Sequence, residues 1–195
     1  MTRIIAGTAK GRQLATPKSS ATRPTTDRVR EAAFAMIAGW ADRLGGGADD
    51  QLAGLSFLDL YAGTGAVAFE AASRGAGPVW AVESQGPAAA VAQRNRSITG
   101  LAVTVKRQRV EQLLGSAASI CFDIVWADPP YALAAAAVDS MLRLLADNGW
   151  LAPEALVVVE RSARDTAPSW PAGLLQLPTR NYGETSLHLA VRGSQ

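Results

Sequence analysis

Four consecutive residues, Asp128-Pro129-Pro130-Tyr131, form the most chemically pointed pattern in the sequence. An apolar run from Phe122 to Ala127, interrupted only by Asp123, precedes them and reads as a buried strand of a parallel sheet, which places Asp128 where a strand ends. The two prolines hold φ near roughly −65° and remove two backbone donors. The loop therefore offers carbonyl acceptors, an acceptor-only carboxylate at Asp128 and a flat ring at Tyr131 on which a base can stack. Such acceptors beside an aromatic face suit an exocyclic amino group on a nucleobase. The plainer alternative is a Pro-rich turn in which Asp128 caps the Ala-rich helix that follows and Tyr131 packs on the surface. The quartet by itself does not choose between them.

A second pattern lies upstream. Asp59-Leu60-Tyr61-Ala62-Gly63-Thr64-Gly65 follows one apolar strand and opens a helix, so that glycines at 63 and 65 let a ligand approach the backbone and the helix N-terminus supplies oriented N–H groups. Eighteen residues after Gly65, at the end of the next strand, stands Glu83, able to accept hydrogen bonds from both hydroxyls of a ribose. Gly63-x-Gly65-x-x-Ala68 also satisfies a dinucleotide fingerprint, which makes an NAD-dependent oxidoreductase the rival reading. Three features oppose it. Asp59 stands where a pyrophosphate would have to approach, no acid or base for hydride transfer is evident, and the proline loop would be unexplained. A carboxylate at Asp59 suits the cationic amino acid end of S-adenosylmethionine, and the methyl donor is the cofactor favoured here.

The elements that must position these residues alternate. From Leu55 onward strands near Ser56–Tyr61, Pro78–Glu83, Leu101–Lys106, Phe122–Ala127 and Ala155–Glu160 are separated by helices near Gly65–Arg74, Gly86–Ile98, Val110–Ala117 and Leu133–Ala146. This order predicts a parallel sheet with helices on both faces. Leu174–Leu177 and Thr185–Val191 are joined by a short connection, so the sheet should finish in an antiparallel hairpin. Upstream, Arg3–Ala6 and Arg12–Leu14 read as a small hairpin, Pro17–Thr22 as a linker, and Thr26 or Asp27 as the cap of a helix running through Trp40. The glycine-rich stretch from Leu44 to Gly54 marks a boundary.

Charge is distributed unevenly. Residues 1–30 hold seven basic groups and one acid, giving +6, whereas the remainder, 12 basic against 16 acidic, is −4. A basic arm on an acidic body implies a polyanionic partner held at one end. No apolar run approaches the ~18 residues of a membrane span, and no signal-peptide core precedes the first motif, so a cytoplasmic protein is expected. Cys121, in an apolar stretch, is expected to pack, and His188 to be structural; one Cys and one His assemble no ordinary zinc site.

Together the two motifs resemble the class I, Rossmann-like S-adenosylmethionine-dependent methyltransferases that modify exocyclic amines. Arg3-Ile4-Ile5-Ala6-Gly7, Lys10-Gly11-Arg12-Gln13-Leu14, Arg23-Pro24-Thr25-Thr26-Asp27-Arg28-Val29-Arg30-Glu31-Ala32 and Tyr182-Gly183-Glu184-Thr185 extend the likeness to the RsmD-type 16S ribosomal RNA guanine-N2 methyltransferases. The resemblance implies an α/β fold with a mostly parallel seven-stranded sheet, an antiparallel last strand and an N-terminal hairpin extension over residues 1–22, followed by a methyltransferase domain over 23–195. It implies methylation of one guanine of 16S rRNA in the 30S subunit or an assembly intermediate, and nothing in the sequence suggests more than a monomer. Catalysis then falls to Asp128, Pro129 and Tyr131. Cofactor contacts fall to Asp59, Tyr61, Gly63, Gly65, Glu83 and Asp128, with backbone groups around Arg109 and Val110 in place of the acidic adenine contact usual in such enzymes. RNA contacts fall to Arg3, Lys10, Arg12, Arg23, Thr25, Arg28, Arg30 and Tyr182, with no metal. An adenine-N6 amino-methyltransferase presents the same kind of amine to the same loop, and a non-catalytic RNA-binding module would explain the arm but not the cofactor motif.

Overall fold

A computed structural model of the chain describes residues 2–16 and 26–193. Among them a seven-stranded sheet has the order β3-β2-β1-β4-β5-β7-β6. Strands β1 (Phe57–Leu60), β2 (Val79–Val82), β3 (Val103–Lys106), β4 (Phe122–Ala127) and β5 (Leu151–Ser162) run parallel. Strand β7 (Thr185–Arg192) is antiparallel to both β5 and β6 (Leu174–Tyr182), forming the expected closing hairpin around Gly183. Five helices flank the sheet: α1 (Asp27–Trp40), α2 (Ala66–Ser73), α3 (Gly86–Thr99), α4 (Val110–Leu114) and α5 (Ala135–Asp147).

The central strands are buried on both faces, and for that reason they read as nearly continuous apolar runs. Their period of two sorts the side chains into two cores. Phe57, Ile124, Trp126 and Val158 pack with Phe34, Ile37 and Phe69 under α1 and α2. Leu58, Leu60, Val125 and Val157 pack with Leu114, Met141 and Leu145 under α4 and α5. Asp59 alternates with Leu58 and Leu60 and is paired with Trp126, so it belongs to the face covered by α1 and α2. A carboxylate has thus been placed beneath the helix that follows it.

The N-terminal segment makes a narrow hairpin closed by the Arg3–Gln13 bridge, with Ile4 N–H donating to the Arg12 carbonyl at 3.0 Å. Ile4, Ala9 and Leu14 are buried in the same core as α1 and α2. Glu70 of α2 accepts from the Ile5 and Ala6 N–H groups at 2.7 and 3.0 Å, and Ser73 Oγ accepts from Ala9 N–H at 2.9 Å. Gly7 rides so close to α2 that a Cβ there would lie 1.8 Å from the Ser73 carbonyl oxygen. These residues are part of the domain's packing; the proposed division at 22 and 23 lies outside the described residues.

Two sequence expectations need correction. The Leu44–Gly54 stretch is no domain boundary, because Leu52 is fully buried, its N–H donates to the Arg74 carbonyl at 2.8 Å, and α1 before it shares its core with β1 after it. Cys121 is exposed at the entrance to β4 and does not pack. No helix among the described residues is long and apolar enough to cross a membrane.

Candidate cofactor crevice and nucleobase site

The chain reverses direction across the sheet between β1 and β4: β2 and β3 are added on one side of β1, and β4 and β5 on the other. In open α/β sheets the crevice beyond the carboxyl ends of the strands at such a point is where ligands bind. Both sequence motifs emerge there.

On the β1 side, Tyr61 to Gly65 form a tight turn whose Gly65 N–H donates to the Ala62 carbonyl at 2.8 Å. Gly65 has φ +82°, and a Cβ there would come within 2.7 Å of the Phe69 ring, so only glycine permits this entry into α2. Gly63 has φ +56° and open space above it. Glu83, just past β2, holds the turn from the side. One carboxylate oxygen accepts from Gly63 N–H at 2.8 Å and the other from Gln85 N–H at 2.6 Å. Each oxygen keeps a second lone pair available to a ribose hydroxyl. Asn95 of α3 ties the turn to the N-terminal segment, its amide donating to the Thr64 carbonyl at 3.0 Å while its oxygen accepts from Ala15 N–H at 2.7 Å.

Asp59 sits beneath this turn, 2% exposed, with its carboxylate accepting from Ala68 N–H at 3.0 Å. Burial pushes its carboxyl up to about 8; the Ala68 hydrogen bond opposes this, and the nearby negative charges of Glu83 and Glu160 reinforce it. Three carboxylates, Asp59, Glu83 and Glu160, are thus gathered beneath and beside the turn. Tyr61, in the left-handed region at φ +59°, donates its hydroxyl to Glu111 of α4 at 3.2 Å, and burial with the Glu111 charge holds its phenol above the ordinary range. Arg109 is the exposed residue preceding α4, and Val110 is buried as the helix begins. The acidic group on this side is thus Glu111, one residue beyond the pair singled out from the sequence.

On the β4 side, Asp128 N–H donates to the Leu60 carbonyl at 3.3 Å, which brings the two motifs together. Helix α5 starts at Ala135 after Ala134, with no side-chain cap, so Asp128 does not serve as the cap of that helix. Sequence reasoning missed what holds the proline loop. Arg161 of β5, itself buried, donates to the Pro130 and Leu133 carbonyls, each at 3.3 Å, and pairs with Asp165 at 2.8 Å. Leu133 N–H closes the turn onto the Pro130 carbonyl at 2.8 Å, while the Pro129 carbonyl is left out of these bonds. A charged pair ending an apolar strand, Glu160-Arg161, was the available signal.

Tyr131 is 50% exposed and faces a cavity of about 460 Å³. Its walls include Thr26, Arg28, Glu160, Asn181 and Tyr182, supplied by the start of α1, the end of β5 and the β6–β7 turn. That volume is within the range of small-ligand sites. Exposed Arg28 and partly buried Tyr182 thus line the same cavity, whereas exposed Arg3 and Lys10 line a separate, smaller depression with Asp27 and Glu31. Arg12 is exposed but donates to the Ile98 carbonyl at 2.7 Å, near the end of α3. Arg30 is not exposed, unlike the other described basic residues assigned to RNA from the sequence. It is 1% exposed, bonded to the Arg3 carbonyl at 2.5 Å and Asp27 at 3.0 Å, with Glu70 3.9 Å away, because it occupies an inward position of α1. Arg23 and Thr25 lie outside the described residues. His188 is buried on β7 with Nδ1 3.3 Å from the Thr179 hydroxyl, and burial together with Arg161 lowers its pKa, consistent with a structural role.

A glycine turn fastened by a strand-end carboxylate, beside an acidic proline loop on the next strand across the switch point, defines a Rossmann-like class I methyltransferase fold. The chain belongs to the family described as conserved hypothetical protein 95, whose model matches residues 2–191. It is 34% identical over 199 residues to the Escherichia coli (strain K12) protein named ribosomal RNA small subunit methyltransferase D, covering 99% of this chain and 91% of that one. The solved Escherichia coli protein yhhF superposes with a TM-score of 0.84 at 29% identity, covering 100% of this chain and 99% of that chain. Magnesium protoporphyrin IX methyltransferase of Synechocystis PCC 6803 gives a TM-score of 0.62 at 17% identity, with 91% and 87% covered, a likeness of fold alone.

Proposed function

We propose that this chain is an S-adenosylmethionine-dependent ribosomal RNA methyltransferase that modifies the N2 amine of one guanine in 16S rRNA, acting as a cytoplasmic monomer on the 30S subunit or an assembly intermediate. The reading rests above all on one juxtaposition. The Glu83-anchored glycine turn and the Asp128–Pro129 acceptors emerge from β2, β1 and β4 at one end of the sheet, next to a cavity fit for a nucleotide. The name of the Escherichia coli relative supports the RNA substrate.

S-adenosylmethionine supplies an electrophilic methyl group on a sulfonium. Glu83 would take the ribose hydroxyls, the backbone near Arg109 and Val110 the adenine, and the acidic surroundings of Asp59 the cationic amino acid end. The guanine N2 lone pair is delocalised into the ring and is a poor nucleophile. Hydrogen bonds from its two N–H groups to the Asp128 carboxylate and the Pro129 carbonyl favour a pyramidal nitrogen and aim its pair at the methyl carbon. The bound cofactor would give its methyl group to that lone pair and keep the electron pair of the bond it loses as a neutral thioether. The positive charge on N2 is stabilised by Asp128, which accepts the departing proton. Tyr131 stacks on the extruded base, worth about 1–3 kcal/mol in comparable contacts.

The test is incubation with methyl-labelled S-adenosylmethionine and either 30S subunits or naked 16S rRNA, followed by nucleoside analysis. Label in N2-methylguanine is expected. Label in N6-methyladenine, or in neither RNA, would overturn the reading. In Asp128→Ala, transfer should be lost while cofactor affinity is nearly kept.

A further inference from the structure

The proline loop explains why an amine is methylated but not why guanine is chosen over adenine, since both bases offer an amine to it. Glu160 sits where that choice can be made. It lies near the end of β5, 3% exposed, and lines the same cavity as Tyr131. The parallel register pairs Ala127, the last residue of β4, with Val159 of β5, so Glu160 follows on β5 level with the point where Asp128 leaves β4, and Asp128 stays near the sheet through its N–H bond to the Leu60 carbonyl at 3.3 Å. Parallel neighbours lie about 4.8 Å apart, close enough for one base to meet both side chains.

We infer that Glu160 is a specificity-determining residue that accepts the N1–H of the target guanine while Asp128 and Pro129 hold its N2 amine. The inference rests on the methyltransferase reading above. On guanine's Watson–Crick edge N1–H is a donor immediately beside the N2 amine. Adenine, presented with its N6 amine in the same place, brings N1 as a lone pair. An ionised carboxylate is acceptor-only, so it bonds to guanine and meets adenine with an unpaired, repelling contact. Rejection through an unpaired buried group discriminates more strongly than the gain of an attractive contact alone.

The prediction is tested with 2-aminopurine, which keeps the 2-amine but carries a lone pair at N1. Thirty-S particles are reconstituted with guanine or 2-aminopurine at the methylated position, and initial rates of label transfer are compared. Wild-type protein should methylate guanine roughly tenfold to a hundredfold faster than 2-aminopurine. Glu160→Gln offers both a donor and an acceptor, so 2-aminopurine should gain and guanine lose, shrinking the ratio about tenfold or more. Far-UV circular dichroism and the thermal melting temperature serve as the check that the variant is folded. Comparable wild-type rates on the two bases, a result that needs no variant, would refute the inference, as would an unchanged ratio in folded Glu160→Gln. Absence of methylation on the guanine particle would instead refute the function itself.

Discussion

Replacing Arg161 by Met keeps most of the side chain's volume and removes every donor. The Pro130 and Leu133 carbonyls then lose their buried partner and Asp165 loses its cation. Hydrogen bonds from charged donors contribute about 1.5–3 kcal/mol, but both are 3.3 Å long, beyond the usual 2.9–3.0 Å, so ~1 kcal/mol each is the reasonable share. Asp165 is 29% exposed, and screening limits that pair to at most about 1 kcal/mol. Together these give about 2–3 kcal/mol. If that energy goes into holding the loop, kcat falls roughly 30- to 150-fold, with cofactor affinity little changed because the glycine turn and Glu83 are untouched. Arg161→Lys should recover part of the rate. A second readout comes from His188, the single histidine of the chain. Part of its lowered pKa comes from the Arg161 charge, so in Arg161→Met the imidazole should titrate at higher pH, read from its proton resonance, although burial, the larger cause, remains. Wild-type kcat together with an unmoved His188 titration would refute the assignment of Arg161 as the residue that positions the loop.

Three further outcomes are expected. Gly65→Ala forces a side chain into the left-handed region and onto Phe69, costing about 2–4 kcal/mol and lowering Tm by roughly 5–15 °C in a domain of this size, measurable by thermal denaturation. Asp59, pushed up to about 8 by burial, is mostly protonated in the free protein at neutral pH, and a bound cation favours its ionised form. Binding of S-adenosylmethionine should then release a proton, the dissociation constant falling by up to about tenfold per pH unit as pH rises toward 8. Calorimetry in buffers of different ionisation enthalpy counts that proton, and Asp59→Asn should abolish the release. Deleting the basic arm would remove Ile4, Ala9 and Leu14 from the core, so RNA binding is better tested at exposed Lys10 and Arg28: reversing each charge should weaken rRNA binding and lower the salt slope by roughly one for each phosphate no longer neutralised.

The sequence was most informative where local pattern and tertiary position coincide. Apolar runs leading into the glycine turn, Glu83 and Asp128 could be read as strands because both faces of the central sheet are covered, and these motifs stand at their carboxyl ends by the geometry of parallel crossovers. The short link between Leu177 and Thr185 likewise forces an antiparallel hairpin whatever the core does. Surface or core was harder to read for single charges. Arg30 stands four residues from Phe34 on the inward stripe of α1, yet its charge type suggests solvent, and its burial is tolerable because the Arg3 carbonyl, Asp27 and, farther off, Glu70 of the facing helix meet its guanidinium. Leu44–Gly54 looks like a hinge by composition, and Leu52 shows that it is pinned. By itself the sequence determined the alternating fold, the glycine turn and the proline loop, since each depends on residues close together in the chain. Tertiary structure alone decided that Arg161 braces the loop, that Glu160 lines one cavity with Tyr131, and that Arg28 and Tyr182 meet across it. Those neighbours are dozens of residues apart or more, and strand register and helix packing, to which no local pattern refers, bring them together.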